Sequence, residues 1–483
     1  MRDHVLLYIN GRRRQVSGND AFLSLSNFLR SRLGLTGTKI VCSEGDCGSC
    51  TVLIGRANGD RFDYRPVDSC IQRMFQLDGT HIVTVEGLAG DKCELTPVQD
   101  AMVQCHGSQC GFCTPGFVVA MTGLLEENES PSDEDWRLGL TGNLCRCTGY
   151  VPIVDAGRTL EANSVTKLSE LYSARRMLRD MAKSAIEPIA VEVKQGDRPR
   201  RFFSPTTLAD ALAMLRDYPT ATVVAGATDV GVQLNKGVID PEVFLDLNRV
   251  NELMGTAVES SSSGDAIVAG ARTTWTEIES TVWDAVPEFH NIVSLFGSPQ
   301  IRHVGTIGGN IVNASPIADS LPFLFVSEAL LELASASGTR SVPINRFYQG
   351  YKRIDLRPGE LLTRVRIPLP DDGDLLRLIK VSRRRDLDIA TFTAAIWMRL
   401  DGETISQTRL AFGACGPTVI RARRTEEFLR GQPFDEETMR AAGDMVVSEI
   451  APISDVRGSA DFRYQLARNV LVKFYLEQAL SAA

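Results

Sequence analysis

Ten of the eleven cysteines in this 483-residue chain fall between Cys42 and Cys147, and only Cys415 lies outside that stretch. Two groupings stand out within it. The first is Cys42-Ser43-Glu44-Gly45-Asp46-Cys47-Gly48-Ser49-Cys50, followed by Cys70. The second is Cys110-Gly111-Phe112-Cys113, then Cys145-Arg146-Cys147. Each supplies four thiolates, the number a [2Fe–2S] cluster requires. The rest of the chain reads as something that feeds electrons to this stretch or takes them from it.

The first grouping is the more specific. C-x4-C-x2-C with a distant fourth cysteine is the plant-type ferredoxin spacing. Gly45 and Gly48 permit positive φ, so the loop can curl tightly over an inorganic core. Their missing side chains leave backbone N–H groups free to point at the sulfurs, and such bonds help set a reduction potential. Four thiolates also suit tetrahedral Zn²⁺. Zinc sites usually pair two short C-x2-C knuckles, whereas here three thiolates crowd into nine residues.

In the second grouping a C-x2-C is followed by a gap of 31 residues and a C-x-C. That is not a common zinc pattern, and taken alone it favours a cluster while leaving zinc open. Disulfides are the third option. Residues 1–10 carry no long apolar core and no cleavage site, so the expectation is a cytoplasmic protein. In a reducing cytosol clustered cysteines bind metal more often than they form disulfides.

Composition narrows the remaining classes. The hydrophobic share is 43% and the charged share 23%, as in soluble globular proteins of three or four domains at this length. No apolar run reaches the length of a membrane span. The net charge is −8, which argues against nucleic acid as a partner, because phosphate binding needs clustered Lys and Arg. Only five histidines are present, so histidine-based metal catalysis has little support.

Along the chain the pattern predicts a multi-domain α+β protein. Residues 1–88 read as a β-grasp ferredoxin domain: strand Val5–Ile9, an Asn10-Gly11 hairpin turn, a helix along Leu23–Leu33 capped by Ser24 or Ser26, and strands at Thr51–Ile54 and His81–Val85. Residues 89–165 read as an all-helical domain, with helices at Pro97–Gln104, Phe117–Glu127, after Ser132, and Asp155–Ser164. Residues 166–200 read as a linker, with a basic helix over Lys167–Lys183 and a charged, non-periodic stretch after it. Residues 201–372 alternate strands and helices, and residues 373–483 form a last α+β domain, helical from Asp435 to the end. Cys93, Cys105 and Cys415 read as inert thiols.

The fourth segment contains two Gly-rich turns. One is Gly226-Ala227-Thr228-Asp229-Val230-Gly231 after the strand Thr222–Ala225; the other is Gly305-Thr306-Ile307-Gly308-Gly309-Asn310. Side-chain-free backbone lets diphosphate oxygens approach peptide N–H groups. Such turns also occur simply as tight turns. No two glycines stand two apart, so G-x-G-x-x-G is absent and the Rossmann route to a dinucleotide is unsupported.

These stretches carry a resemblance. Gly34–Lys39, Cys42–Cys50, His106–Phe117 and Gly142–Tyr150 look like the iron–sulfur part of the molybdenum hydroxylases, the xanthine dehydrogenase family. Later segments extend the likeness over nearly the whole chain, which resembles a xanthine dehydrogenase small subunit. One departure is Ile40-Val41, where the family usually has Glu-Gly; the ligand remains, but packing and polarity beside it change.

The resemblance implies that Cys42, Cys47, Cys50 and Cys70 hold one [2Fe–2S] cluster and Cys110, Cys113, Cys145 and Cys147 a second. It implies a vanillyl-alcohol-oxidase-type FAD domain over 201–372 and a C-terminal flavoprotein domain over 373–483. Val223, Val224, Ala225, Gly226, Ala227, Thr228, Asp229 and Val230, with Thr306, Gly309 and Asn310, would contact the FAD diphosphate and ribityl. Asp319 would bind toward the adenosine, Phe296 would stack near the isoalloxazine, and Leu362 and Lys380 would complete the pocket. Tyr351 would stand where NAD approaches the flavin. No acid–base catalyst is expected in this chain. Molybdopterin would belong only to a large partner subunit, in a heterodimer or heterotetramer that serves purine catabolism. The same role in a hydroxylase for another N-heterocycle or an aldehyde, or a stand-alone iron–sulfur flavoprotein reductase, remains open. The charges of Arg383–Asp388 raise a further expectation, that they tune the flavin's choice of acceptor; an unchanged NADH-to-oxygen turnover ratio on replacing Arg384, Arg385 or Asp386 would remove it.

Overall fold

The computed structural model describes residues 1–89, 94–161, 165–195, 198–262 and 264–482. Cys93 and residues 162–164 of the expected fourth helix therefore lie outside the described residues. The chain forms two compact units, Met1–Glu252 with Gly297–Gly305, and Leu253–Phe296 with Thr306–Ala483.

The first unit opens with β1 (Val5–Ile9) and β2 (Arg12–Val16), joined at Asn10 and Gly11. Both turn residues have positive φ, 49° and 73°, which is what a two-residue hairpin of right-handed strands requires. α1 (Leu25–Leu33) starts where the Ser24 hydroxyl accepts from the Asn27 N–H. After the first cysteine loop come β3 (Thr51–Asn58), β4 (Arg61–Asp68) and β5 (Thr80–Val83). The sheet order is β2-β1-β5-β3-β4, with β1 and β5 parallel and the other pairs antiparallel.

Period-two alternation gives this sheet two buried faces. Val5, Leu7 and Ile9 join a core with Phe28 of α1, while Tyr8, Leu53 and Tyr64 join another with a set of helices. Those helices are α2 (Pro97–Gln104), α3 (Thr114–Glu127), α4 (Asp133–Gly139) and α5 (Val151–Arg158). Thr96 and Ser132 begin α2 and α4 with reciprocal capping boxes, each satisfying two otherwise orphaned donors. α5 starts earlier than the expected Asp155, because Pro152 sits in its first turn, where a missing N–H costs nothing.

The described residues of the stretch expected as a solvated linker form packed helices and strands. α6 (Leu168–Leu171) and α7 (Ala174–Ala185) lay Leu168, Met177 and Met181 into the helical core. β6 (Ile189–Gln195) then pairs antiparallel with β7 (Arg198–Ser204). Ile189 and Val191 are buried, so the charges at Glu192 and Lys194 mark the solvent face of a strand. After α8 (Leu208–Asp217), β8 (Thr222–Val224), α9 (Val230–Asn235) and β9 (Val243–Asp246) complete a sheet of order β6-β7-β9-β8.

In the second unit β10 (Thr256–Ser261) and β11 (Gly264–Gly270) lead to α10 (Trp275–Ala285) and α11 (Pro287–Ser294). The chain then passes through Gly297–Gly305, which belongs to the first unit and carries α12 (Pro299–Arg302). It returns with α13 (Ile307–Asn313), α14 (Leu321–Val326), β12 (Leu330–Ser335), β13 (Gly338–Pro343), α15 (Ile344–Phe347), β14 (Tyr348–Gly350), β15 (Arg353–Ile354) and β16 (Leu361–Pro368). The resulting sheet has order β10-β11-β16-β12-β13.

β17 (Leu375–Val381), β18 (Phe392–Asp401), β19 (Thr404–Gly413) and β20 (Ile420–Arg421) make an antiparallel sheet in that order. α16 (Arg423–Leu429), α17 (Glu436–Val446) and α18 (Ala460–Ala482) follow. The helix expected to run from Asp435 to the end is interrupted at 447–459, where Pro452 cannot continue it.

Candidate iron–sulfur and flavin sites

The first cysteine loop lies between α1 and β3. Ser43, Gly45 and Gly48 all have positive φ, 58°, 71° and 66°, and these reversals turn the loop back on its own sulfurs. The Cys42 sulfur lies within hydrogen-bond reach of Cys47 and Cys70, and Cys70 within reach of Cys50. Those neighbours hold the Cys42 thiol far below its usual range, while Cys42 itself pushes Cys47 and Cys70 up. The Glu44 N–H points at the Cys42 sulfur at 3.4 Å. Cys47, Cys50 and Cys70 are 9%, 2% and 2% exposed. Asn235, at the end of α9, donates to the carbonyls of Ser43 and Cys70, both at 2.9 Å, which clamps the loop to its distant fourth cysteine. Asp68 is fully buried; burial first, and then the Cys42 charge, pushes it up to about 7.

The second group comes from the turn before α3 and the turn before α5. Cys147 and Cys110 lie sulfur to sulfur at 3.4 Å, and Cys113 meets Cys145. The Thr148 N–H points at the Cys145 sulfur at 3.5 Å, and the Cys145 N–H donates to the Tyr150 hydroxyl at 3.1 Å. Cys145 is buried, whereas Cys110 and Cys147 are exposed.

Among the described residues no three His, Cys, Asp or Glu side chains are arranged to hold a single metal ion. Both groups instead present sulfur beside sulfur with N–H groups aimed at them. Four soft thiols around a small N–H-lined space fit an iron–sulfur cluster.

The residues expected at the flavin divide between the units. Val223 to Val230 lie in the first. Val223 and Val224 end β8, and Ala225–Asp229 turn into α9. The carbonyl of Ala225 accepts from Gln76 at 2.8 Å and Asn248 at 2.9 Å, and that of Gly226 from Gln72 at 2.9 Å. With its carbonyls held this way and Ala227 at φ 59°, the turn stays curled, and the Gly231 N–H at the start of α9 donates to the Ala227 carbonyl at 2.7 Å. A Cβ at Gly226 would strike the Val304 carbonyl.

Phe296, Thr306, Gly309, Asn310, Asp319, Tyr351, Leu362 and Lys380 lie in the second unit. Thr306 caps α13 by accepting from the Gly309 N–H at 3.1 Å. A Cβ at Gly308 would meet Ala271, so that glycine lets α13 start close against its neighbour. Asn310 accepts from the Ser320 hydroxyl at 2.6 Å. Asp319 pairs with Lys380 at 2.7 Å, both almost wholly buried, and Lys380 also donates to the Leu295 carbonyl at 3.2 Å. Burial raises Asp319 and Lys380 opposes that rise. The second carboxylate oxygen of Asp319 is buried with no protein partner, an unmet acceptor of the kind a ligand hydroxyl satisfies.

Phe296 packs edge-on against Trp275 with centroids 5.1 Å apart, and Leu362 is a core residue of β16. Tyr351 is 63% exposed. Cys415 is fully buried and held up to about 12 by that burial, which accords with an inert thiol. Arg384 pairs with Asp388 at 3.3 Å.

Sequence reasoning missed Thr51, Asn143 and Gln300. These three side chains are at most 2% exposed and hydrogen-bond to one another beside both cysteine groups. Residue type gave no signal, because Asn and Gln in loops are ordinarily exposed.

Three family profiles match the chain: a [2Fe-2S] binding domain over 84–158, the FAD binding domain in molybdopterin dehydrogenase over 196–370, and the CO dehydrogenase flavoprotein C-terminal domain over 377–478. Xanthine dehydrogenase 1 of Arabidopsis thaliana is 31% identical over 98% of this chain and 39% of its own length. Aldehyde oxidase 1 of Rattus norvegicus is 32% identical over 98% and 39%. The chain thus spans about two fifths of the curated relatives it matches. Among solved structures, a chain of carbon monoxide dehydrogenase from Hydrogenophaga pseudoflava has TM-score 0.54 at 29% identity, covering 58% of this chain and 96% of its own. One of quinoline 2-oxidoreductase from Pseudomonas putida 86 has TM-score 0.52 at 30% identity, covering 58% and 96%.

Proposed function

Because the chain belongs to the molybdenum hydroxylase family, as its iron–sulfur and flavin part, we propose that it is the electron-transfer subunit of a xanthine dehydrogenase. A large molybdopterin-binding partner oxidises the purine, and this chain takes the electrons on to NAD⁺. The partner pair forms a heterodimer or a heterotetramer in the cytoplasm. The observation that carries this reading is the convergence of eight cysteines into two groups of four.

Cys42, Cys47, Cys50 and Cys70 hold one [2Fe–2S] cluster, and Cys110, Cys113, Cys145 and Cys147 the other. Bound there, the clusters exchange single electrons and FAD joins them to a two-electron acceptor. The first loop shields the Cys47, Cys50 and Cys70 sulfurs from water, and its N–H groups help set the cluster's potential. Val223–Val230, Thr306, Gly309 and Asn310 cradle the FAD diphosphate and ribityl, and Asp319, fixed by Lys380, takes a hydroxyl toward the adenosine. Phe296 and Leu362 border the ring system. Tyr351, standing in solvent, lies where NAD enters.

The same role in a hydroxylase of another N-heterocycle or an aldehyde fits equally, because aldehyde oxidases and a quinoline oxidoreductase stand among the relatives. The test is purification under anaerobic conditions. Two clusters require about four irons per chain, together with flavin absorbance and a co-purifying molybdopterin protein. Zinc in place of iron sinks the reading. Turnover of hypoxanthine against quinoline and aldehydes, with NAD⁺ and with oxygen, separates the two substrate classes.

A further inference from the structure

The backbone segments that hold the two cysteine groups touch at one hydrogen bond. The Leu144 N–H donates to the Cys47 carbonyl at 3.0 Å, so a ligand of the first group is one hydrogen bond and one residue away from Cys145 of the second. Nothing in that contact fixes its own length. Two peptide planes from different loops meet there, and either can rotate.

The buried side chains around it supply the constraint. Asn143, beside Leu144, donates to the Gly48 carbonyl at 2.9 Å, next to Cys47. Gln300 donates to the Asn143 carboxamide oxygen at 2.9 Å, so the Asn143 amide cannot turn over without losing both bonds. Thr51 donates to the same Gly48 carbonyl at 2.6 Å and accepts weakly from Asn143 and Gln300, both at 3.4 Å. There is no slack in the packing. A Cβ at Gly48 would strike the Gly142 carbonyl, one at Gly116 the Gly48 carbonyl, and one at Gly142 the Gln300 side chain.

A role in filling space alone does not account for this set. Gln300 is fully buried and its carboxamide oxygen has no partner, so its desolvation is not offset by a hydrogen bond. Met or Leu would fill the volume without that penalty. What the amide adds is direction: its NH2 group donates to Asn143 at 2.9 Å and to Thr51 at 3.4 Å, both beside the bridge between the cysteine groups. Gln300 also comes from the segment Gly297–Gly305, whose Ile301 packs with Cys50 and Cys70.

We propose that Gln300, acting through Asn143, is a positioning residue for electron exchange between the two clusters. The inference rests on the two-cluster reading given above. The step it serves moves one electron: one cluster is oxidised, the other is reduced, and no proton or bond changes place. The Gln300–Asn143 pair holds the Cys47 and Leu144 peptides at the distance and angle through which that exchange is coupled.

The experiment uses the full chain loaded with iron, sulfide and FAD. Q300M removes the donor and keeps the volume. Metal analysis and thermal unfolding first establish that about four irons remain and that the fold is intact. Electron paramagnetic resonance of the fully reduced chain then reads the magnetic interaction between clusters, and flash photoreduction reads their equilibration rate. The expected result is an altered spin–spin splitting and a several-fold slower equilibration at unchanged iron content. If Q300M fails to retain iron, T51V, which removes one hydroxyl from the same network, gives a smaller change in the same direction. Wild-type splitting and rate in an iron-replete variant overturn the proposal. A wild-type chain holding zinc, or only one cluster, overturns the two-cluster reading instead.

Discussion

His81 shows at the scale of one side chain how burial fixes a charge. It is fully buried, accepts from the Gly11 N–H at Nε2 at 3.0 Å, and meets the Tyr64 hydroxyl at Nδ1 at 2.7 Å. The Nε2 acceptor role places the single ring proton on Nδ1. Burial lowers its pKa from 6.5 to about 4. The folded state therefore binds this proton less readily than the unfolded chain, so the stabilisation is present above about 6.5 and is lost as pH falls toward 4, by about 3 kcal/mol in all. Urea unfolding at pH 7.5 and pH 5 should show that loss in the wild type. In His81→Gln the difference between the two pH values should shrink, since the amide can accept and donate at the same places without titrating. Residue types were legible here only in part. The eight thiols announced themselves through spacing, whereas His81, Asn143 and Gln300 have no local pattern, because their partners lie 70, 95 and 157 positions away in sequence.

Among elements, the clearest lesson is the stretch 166–200. Its arginines and glutamates read as solvation, yet Ile189, Val191 and Val193 alternate with them at the period of a strand, and Met177 and Met181 stand one helical turn apart. Both periodicities were in the sequence and were outweighed by charge. Caps and turns were easier to read, because Asn10-Gly11, Ser24 and Ser132 act on neighbours within three residues. The end of α7 carries the firmest tie. Asp78, 4% exposed, pairs with Arg2 at 2.8 Å and Arg249 at 3.2 Å, and both arginines also donate to the Ser184 carbonyl. Two cations thus satisfy a helix C-terminus, where the dipole favours them. Asp78→Ala leaves two buried guanidinium groups without their anion, and chemical denaturation should register a loss of about 3–5 kcal/mol. An effect below about 1 kcal/mol, the range of exposed pairs, would show that water reaches the triad.

For the molecule as a whole, the two cysteine groups differ in access. Three cysteines of the first group are at most 9% exposed, whereas Cys110 and Cys147 of the second are open to solvent, beside Phe112, Tyr150 and Val151 at 49%, 40% and 65% exposure. On the two-cluster reading, a ferrous chelator should therefore take the iron of the isolated chain in two phases, the half at the second group first. Cluster-specific resonance signals distinguish the two, and equal rates would contradict the exposure difference. Fold class was readable because each segment carries its own periodicity and turn residues. The path of the polypeptide was not, since no local signal says that Gly297–Gly305 departs from the residues on either side of it.

That detour has a consequence for anyone dissecting the gene. A break placed between Leu253 and Phe296 would strand the nonapeptide on the wrong fragment, and with it Gln300, Ile301 and Val304. The upstream piece would then have to be rescued by adding that nonapeptide back in trans, as a short synthetic strap.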